Sequence, residues 1–193
     1  MTETRQHIID TGRRLAAQRG YTAVGLSELL AEAGVPKGSF YHYFKSKEAF
    51  GCALLEGFVE GYGADLGQTL YAPDLPARDR LMAYFARWRA NQTGGAPEAR
   101  CLVVKLSAEI ADLSPGMRDI LDRGVSEIIS RLARAVRDGA EDGSLPRHAE
   151  PDRIATALYQ IWLGASLMAA LSHDATPFDS AEATTARLLD HHH

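Results

Sequence analysis

The stretch Gly34-Val35-Pro36-Lys37-Gly38-Ser39-Phe40-Tyr41-His42-Tyr43-Phe44-Lys45-Ser46-Lys47-Glu48 constrains the fold more than any other part of this chain. Gly34 suits the left-handed position that ends a helix, because no side chain clashes there. Pro36 suits the first turn of the next helix, where its missing N–H costs nothing. Phe40 and Phe44 stand four residues apart, so they share one face and anchor it in a core. Lys37, Ser39, Tyr41, His42 and Tyr43 are left on the faces away from that anchor. Cationic, hydroxyl and imidazole groups crowded on so short a helix are unusual if the helix is merely solvated. They are what a helix needs to meet phosphate oxygens and base edges in a DNA major groove.

The rest of the chain reads as helix too. Ile8, Ile9, Leu15 and Ala16 mark a first helix from Arg5 to Arg19, closed by Gly20. Leu26, Leu29, Leu30 and Ala33 line a second from Leu26 to Ala33, and Lys37 to Phe44 is the third. Ser46 is a good N-cap for a long fourth helix toward Leu70. Gly51, Gly57, Gly61, Gly63 and Gly67 weaken that helix, and the expectation is that it bends or frays there. After a Pro-containing linker come a fifth helix (Ala77 to Asn91), a Gly/Pro loop and a sixth (Cys101 to Asp112). Ser114-Pro115 starts a long seventh helix to about Asp138, Glu150-Pro151 opens the eighth, and Asp179 to Leu189 is the ninth. No run alternates with period two. The expected fold is all-α, with about nine helices and no internal repeat: a compact three-helix domain over residues 1–46 and a larger helical one over 47–190. His191-His192-His193 reads as a tag remnant, outside the function.

Net charge is −4 over 193 residues, which taken alone argues against a DNA partner. Its distribution argues the other way. Residues 1–50 carry seven Lys/Arg against five Asp/Glu, and the remainder fourteen against twenty. Three of the four lysines, Lys37, Lys45 and Lys47, fall inside the opening stretch, so a small basic patch faces phosphate on an otherwise acidic chain. The two cysteines, Cys52 and Cys101, with no secretory signal ahead of the first helix, imply free thiols in a reducing cytoplasm. The uncharged run from Ile154 to Leu171 contains Thr156, Gln160, Gly164 and Ser166 and reads as a buried or interface helix rather than a membrane span. A helix apolar nearly all round needs cover on every side, and a two-fold homodimer that pairs helices eight and nine with their copies supplies it. No G-x-G-x-x-G after a strand, P-loop, H-E-x-x-H or G-x-S-x-G motif occurs, so neither an enzyme nor a cofactor is expected.

The Gly34–Glu48 stretch resembles the helix-turn-helix of the TetR family of repressors, and the resemblance implies a DNA-binding domain over residues 1–46 and a helical ligand-sensing and dimerisation domain over 47–190. The resemblance implies that Lys37, Gly38, Ser39, Tyr41 and His42 face the groove of double-stranded operator DNA, while Tyr43 and Lys47 meet phosphates. His42 is equally readable as meeting only phosphate, Tyr43 as partly core, and Lys45 as a solvated charge. A dimer then presents two such helices to pseudo-palindromic half-sites about one helical turn apart, or a multiple of it.

A second stretch, Cys101-Leu102-Val103-Val104-Lys105-Leu106-Ser107-Ala108-Glu109-Ile110-Ala111-Asp112-Leu113-Ser114, is similar to the corresponding segment of NemR-type, electrophile-responsive members of that family. Cys101 opens a helix, with Arg100 beside it and Lys105 one turn on; a helix N-terminus and nearby cations favour thiolate, the nucleophilic form. Cys101 is therefore the candidate sensor, with a buried structural cysteine as the alternative. Cys52, beside Phe50 and Leu54, reads as core. NemR-type sequences carry a lysine after the Trp-Leu-Gly-Ala run. Here that run leads to Ala170, which counts against a switch joining the cysteine to that amine. The competing inducer is a non-covalent hydrophobic ligand, in a pocket drawn from Tyr84, Trp88, Lys105, Tyr159, Trp162 and Met168.

Overall fold

The computed structural model describes residues 3–94, 102–148 and 150–190, and among them every regular element is a helix. In chain order these are α1 (Glu3–Arg19), α2 (Leu26–Ala33), α3 (Lys37–Tyr43), α4 (Lys47–Leu70), α5 (Ala77–Thr93), α6 (Leu102–Leu113), α7 (Pro115–Asp142), α8 (Pro151–Ser172) and α9 (Thr176–Asp190). The all-α fold read from the periodicity is the fold observed.

The local signals act through identifiable bonds. Gly34 takes φ 63, ψ 31, its N–H bonds Ala31 O, and the Val35 N–H bonds Leu30 O. That pair of bonds closes α2 and turns the chain into α3. Ser46 Oγ accepts the Ala49 N–H at 3.0 Å, and Ser114 Oγ accepts the Met117 N–H at 3.3 Å, capping α4 and α7. Three elements differ from expectation. α4 runs unbroken through its glycines rather than fraying. At Gly51 a Cβ would lie 2.6 Å from Tyr21 Oη and 2.9 Å from Met117 Cε, so here the missing side chain makes room for a neighbour. α7 continues past Gly139 to Asp142, and the chain turns only at Gly143, where φ is 78; the Leu145 N–H then bonds back to Gly139 O. α9 begins at Thr176, ahead of Asp179, because the Asp174 carboxylate accepts the Thr176 N–H.

The described residues fall into two compact units, one drawn from 1–61 and 95–123, the other from 62–94 and 124–193. In the first, α1, α2 and α3 close around Ile8, Leu15, Leu29, Phe40 and Phe44, and Phe50 and Leu54 of α4 join them. The ring of Phe40 lies 5.2 Å from that of Phe44 and 5.6 Å from that of Phe50. In the second, α5, α8 and α9 share an aromatic core in which Phe85 stacks on Trp162 at 4.8 Å, with Phe178 beyond. α8 is long and apolar enough to cross a membrane by length and composition, yet Ile154, Leu158 and Trp162 on one of its faces are buried in this core. Its other face leaves Leu167, Met168 and Leu171 between 47% and 78% exposed.

Phe40 has no exposed surface, so Phe40→Ala should cost about 3–5 kcal/mol of stability, read from urea unfolding followed by circular dichroism. A cost below about 1 kcal/mol, the level of a surface substitution, would contradict its place as the anchor of α3.

Candidate nucleic-acid interface

α3 is seven residues long and is held by one fully buried side chain, Phe40. With Phe40 turned in, Lys37, Gly38, Tyr41 and His42 are exposed, and Ser39 and Tyr43 half-buried. Tyr41 keeps 48% of its surface in solvent, a high value for a large aromatic ring. Lys37 Nζ lies 5.9 Å from the Tyr41 ring centroid, and the His42 and Tyr43 rings meet edge to face at 4.8 Å. A Cβ at Gly38 would meet nothing within 4 Å, so no contact inside the chain requires glycine there. What it permits is close approach by another molecule.

Lys47 begins α4, where the helix dipole already favours an anion. Its side chain is half-buried, with Nζ 5.1 Å from the Tyr21 ring centroid. Tyr21 was not among the residues singled out from the sequence. It is 5% exposed, its hydroxyl donates to Lys47 O at 2.5 Å, and its own N–H donates to Glu109 Oε2 at 3.1 Å. The Thr22 N–H donates to the other oxygen of Glu109. Burial would raise the Glu109 pKa, but the bonds from Thr22 and Tyr21 and the charge of Lys105 outweigh it and lower the value. Glu109 is therefore a carboxylate at neutral pH, and its grip on the turn weakens only as pH falls through that depressed value. Ser114 Oγ–H donates to Glu48 Oε1 at 2.6 Å, a second tie to the first turn of α4. No single-sequence signal pairs Glu109 with a turn 87 residues earlier; with Lys105 four residues before it, it reads as an ordinary solvated helix charge.

Cys101 lies outside the described residues. Lys105 is exposed on α6, while Val103, Leu106 and Ile110 are buried. Cys52 is a half-buried free thiol whose pKa burial raises, with Glu48 and Glu56 adding to the rise. Of the candidate pocket residues, Tyr84, Trp88, Tyr159 and Trp162 come together, each under 5% exposed. They fill one another's space. Trp88 Nε1–H donates to Ser166 Oγ at 2.9 Å and Trp162 Nε1–H to Thr185 Oγ1 at 2.8 Å. Met168 stands on the exposed face of α8, and Lys105 belongs to the other unit. An open depression of about 200 Å3 borders Arg137, Arg147 and His148 instead. Among the described residues no cluster of His, Cys, Asp or Glu is built to hold a metal ion.

Comparison with known proteins gives this geometry a context. Residues 8–50 match the family described as bacterial regulatory proteins, tetR family, and residues 77–185 match the tetracyclin repressor-like C-terminal domain. The chain is 43% identical over 187 residues to the HTH-type transcriptional repressor NemR of Escherichia coli (strain K12), covering 97% of this chain and 94% of the relative. It is 33% identical over 178 residues to the HTH-type transcriptional repressor DhaR of Mycobacterium sp. (strain GP1), covering 92% and 88%. The crystal structure of E. coli NemR in reduced form superposes with a TM-score of 0.91 at 44% identity, over 96% of each chain.

The setting of Cys52 generates a direct test. In a Cys101→Ser variant, N-ethylmaleimide at neutral pH should modify Cys52 severalfold more slowly in the native protein than in urea, because the reactive thiolate is suppressed. Equal rates in the two conditions would contradict the environment described.

Proposed function

The chain belongs to the TetR family of transcriptional repressors and is closely related to NemR, and on that footing we propose that it occupies operator DNA through α3 and releases it when Cys101 is modified by an electrophile or oxidant. The observation that supports the DNA contact most is the surface of α3. One buried phenylalanine fixes the helix, Lys37, Tyr41 and His42 stand exposed, and Ser39 and Tyr43 are half-buried beside them. Lys37, Gly38, Ser39, Tyr41 and His42 enter the major groove, while Tyr43 and Lys47 hold phosphates. Residues 1–46 carry this function and 47–190 carry sensing and dimerisation, in the cytoplasm.

TetR-family regulators bind operator DNA as dimers. In this chain the exposed stripe Leu167, Met168 and Leu171 of α8 is the surface that a second copy covers. The inducer acts at Cys101: the thiolate sulfur bonds to an electrophilic carbon, the displaced electron pair moves onto the acceptor, and solvent supplies a proton. Two observations favour this over a ligand lodged among Tyr84, Trp88, Tyr159 and Trp162. Those rings already fill their own space, and the other thiol, Cys52, is disfavoured as a thiolate.

Fluorescence anisotropy on an operator duplex selected from a random library tests both halves. Tyr41→Ala should weaken binding on the order of tenfold or more, and unchanged affinity would remove α3 from the groove. Lys47→Ala should weaken specific and non-specific DNA alike and flatten the log–log salt slope by roughly one. N-ethylmaleimide should release the parent protein and Cys52→Ser from the duplex but leave Cys101→Ser bound. Release of Cys101→Ser at parental levels would end the thiol reading and transfer the inducer to a non-covalent site.

A further inference from the structure

We propose that Glu109 of α6 is a positioning residue for DNA binding, acting through Tyr21 on Lys47; this rests on the reading of Lys47 as a phosphate contact. Three different parts of Tyr21 are each engaged. Its N–H, with that of Thr22, is held by the Glu109 carboxylate. Its ring lies 5.1 Å from the Lys47 ammonium, and its hydroxyl donates to the Lys47 carbonyl at 2.5 Å. The phenol end of the ring packs so closely on Gly51 that a Cβ there would lie 2.6 Å from its hydroxyl, and only 5% of the residue is exposed.

A wedge gripped at these points cannot move without moving the first turn of α4. Two backbone amides on one carboxylate are charge-assisted bonds, stronger and more directional than neutral ones. The tyrosine hydroxyl remains a donor throughout the physiological range, since burial above all, with Cys52, Glu48 and Glu109 nearby, pushes its pKa up to about 12. The Ser114–Glu48 bond ties the start of α7 to the same first turn. Glu109 therefore holds Lys47 where its ammonium rests on an aromatic face, which limits the orientations that the side chain must give up on meeting a phosphate. Glu109 itself touches no DNA. Its effect is on where the cation stands.

The test is a double-mutant cycle on the full-length protein and the selected operator duplex, with anisotropy recorded across a salt series. Glu109→Gln keeps the side-chain shape but removes the charge and one acceptor oxygen. It should lower affinity on the order of tenfold and flatten the salt slope by roughly one, as Lys47→Ala does. The double variant should bind no more weakly than Lys47→Ala alone. Unchanged affinity in Glu109→Gln would overturn the proposal. So would losses that add in the double variant, because a merely structural role predicts additivity. If Lys47→Ala leaves the slope intact while Glu109→Gln weakens binding, the phosphate reading of Lys47 has failed and the proposal falls with it. If Glu109→Gln does not fold, Tyr21→Phe takes its place, removing only the hydroxyl bond to Lys47. It should flatten the slope, and a parental slope in that variant would overturn the proposal equally.

Discussion

The burial of Phe40 is the interaction on which the rest of the molecule's presented chemistry depends. A helix of seven residues is too short to persist in water by itself, since nucleation costs more than one or two turns return. α3 exists because Phe40 packs against both Phe44 and Phe50 with no exposed surface, and because the turn at Gly34 delivers the chain to that point. Once the phenylalanine is seated, the 3.6-residue period decides which way every other side chain on α3 points. Tyr41 is exposed as a consequence of Phe40 being buried.

Both compact units have apolar cores, and they differ in the polar contacts added to them. Around α5, α8 and α9 the contacts are stacked rings and buried indole hydrogen bonds, which are dense, apolar and resistant to small displacement. Where α6 and the start of α7 meet the α1–α2 turn and the start of α4, buried Leu106, Ile110 and Met117 are joined by polar ties: Glu109 on two amides, Tyr21 on a carbonyl, Ser114 on Glu48. Such bonds are worth about 1–3 kcal/mol each, the same scale as the coupling free energies of allosteric proteins in general.

Much of this was legible in the sequence, and the reasons are physical. Helix starts at Lys37, Lys47, Ala77, Pro115 and Pro151 follow from caps and prolines that act over three or four residues, and the Phe40/Phe44 anchor follows from a spacing of four. What failed was local inference about glycine. Gly51 was read as a weakness in α4, yet it is vacant because Tyr21 and Met117 need the room. The seventh helix, expected to end at about Asp138, instead runs through Gly139 to Asp142. The aromatic set on α5 and α8 carried the same signature whether it lined a pocket or filled a core; the structure shows these rings packed on one another. Tyr21 and Glu109 were invisible because their partners lie 26 and 87 to 88 residues away, and no period links such positions in a single chain.

The central claim is that modification of Cys101 and occupation of the operator are opposed through one conformational equilibrium. Linkage makes the opposition reciprocal: whatever factor modification costs in operator affinity, the operator must cost in modification. The most direct measurement is the exchange of the Cys101 thiol with glutathione disulfide, which yields a mixed disulfide and one glutathione thiol, followed to equilibrium by intact mass in a Cys52→Ser background. Saturating operator duplex should shift that equilibrium toward the free thiol by the factor that glutathionylation costs in operator affinity, and an equal-length duplex of unrelated sequence should shift it far less. An equilibrium that operator DNA leaves unmoved would contradict the account.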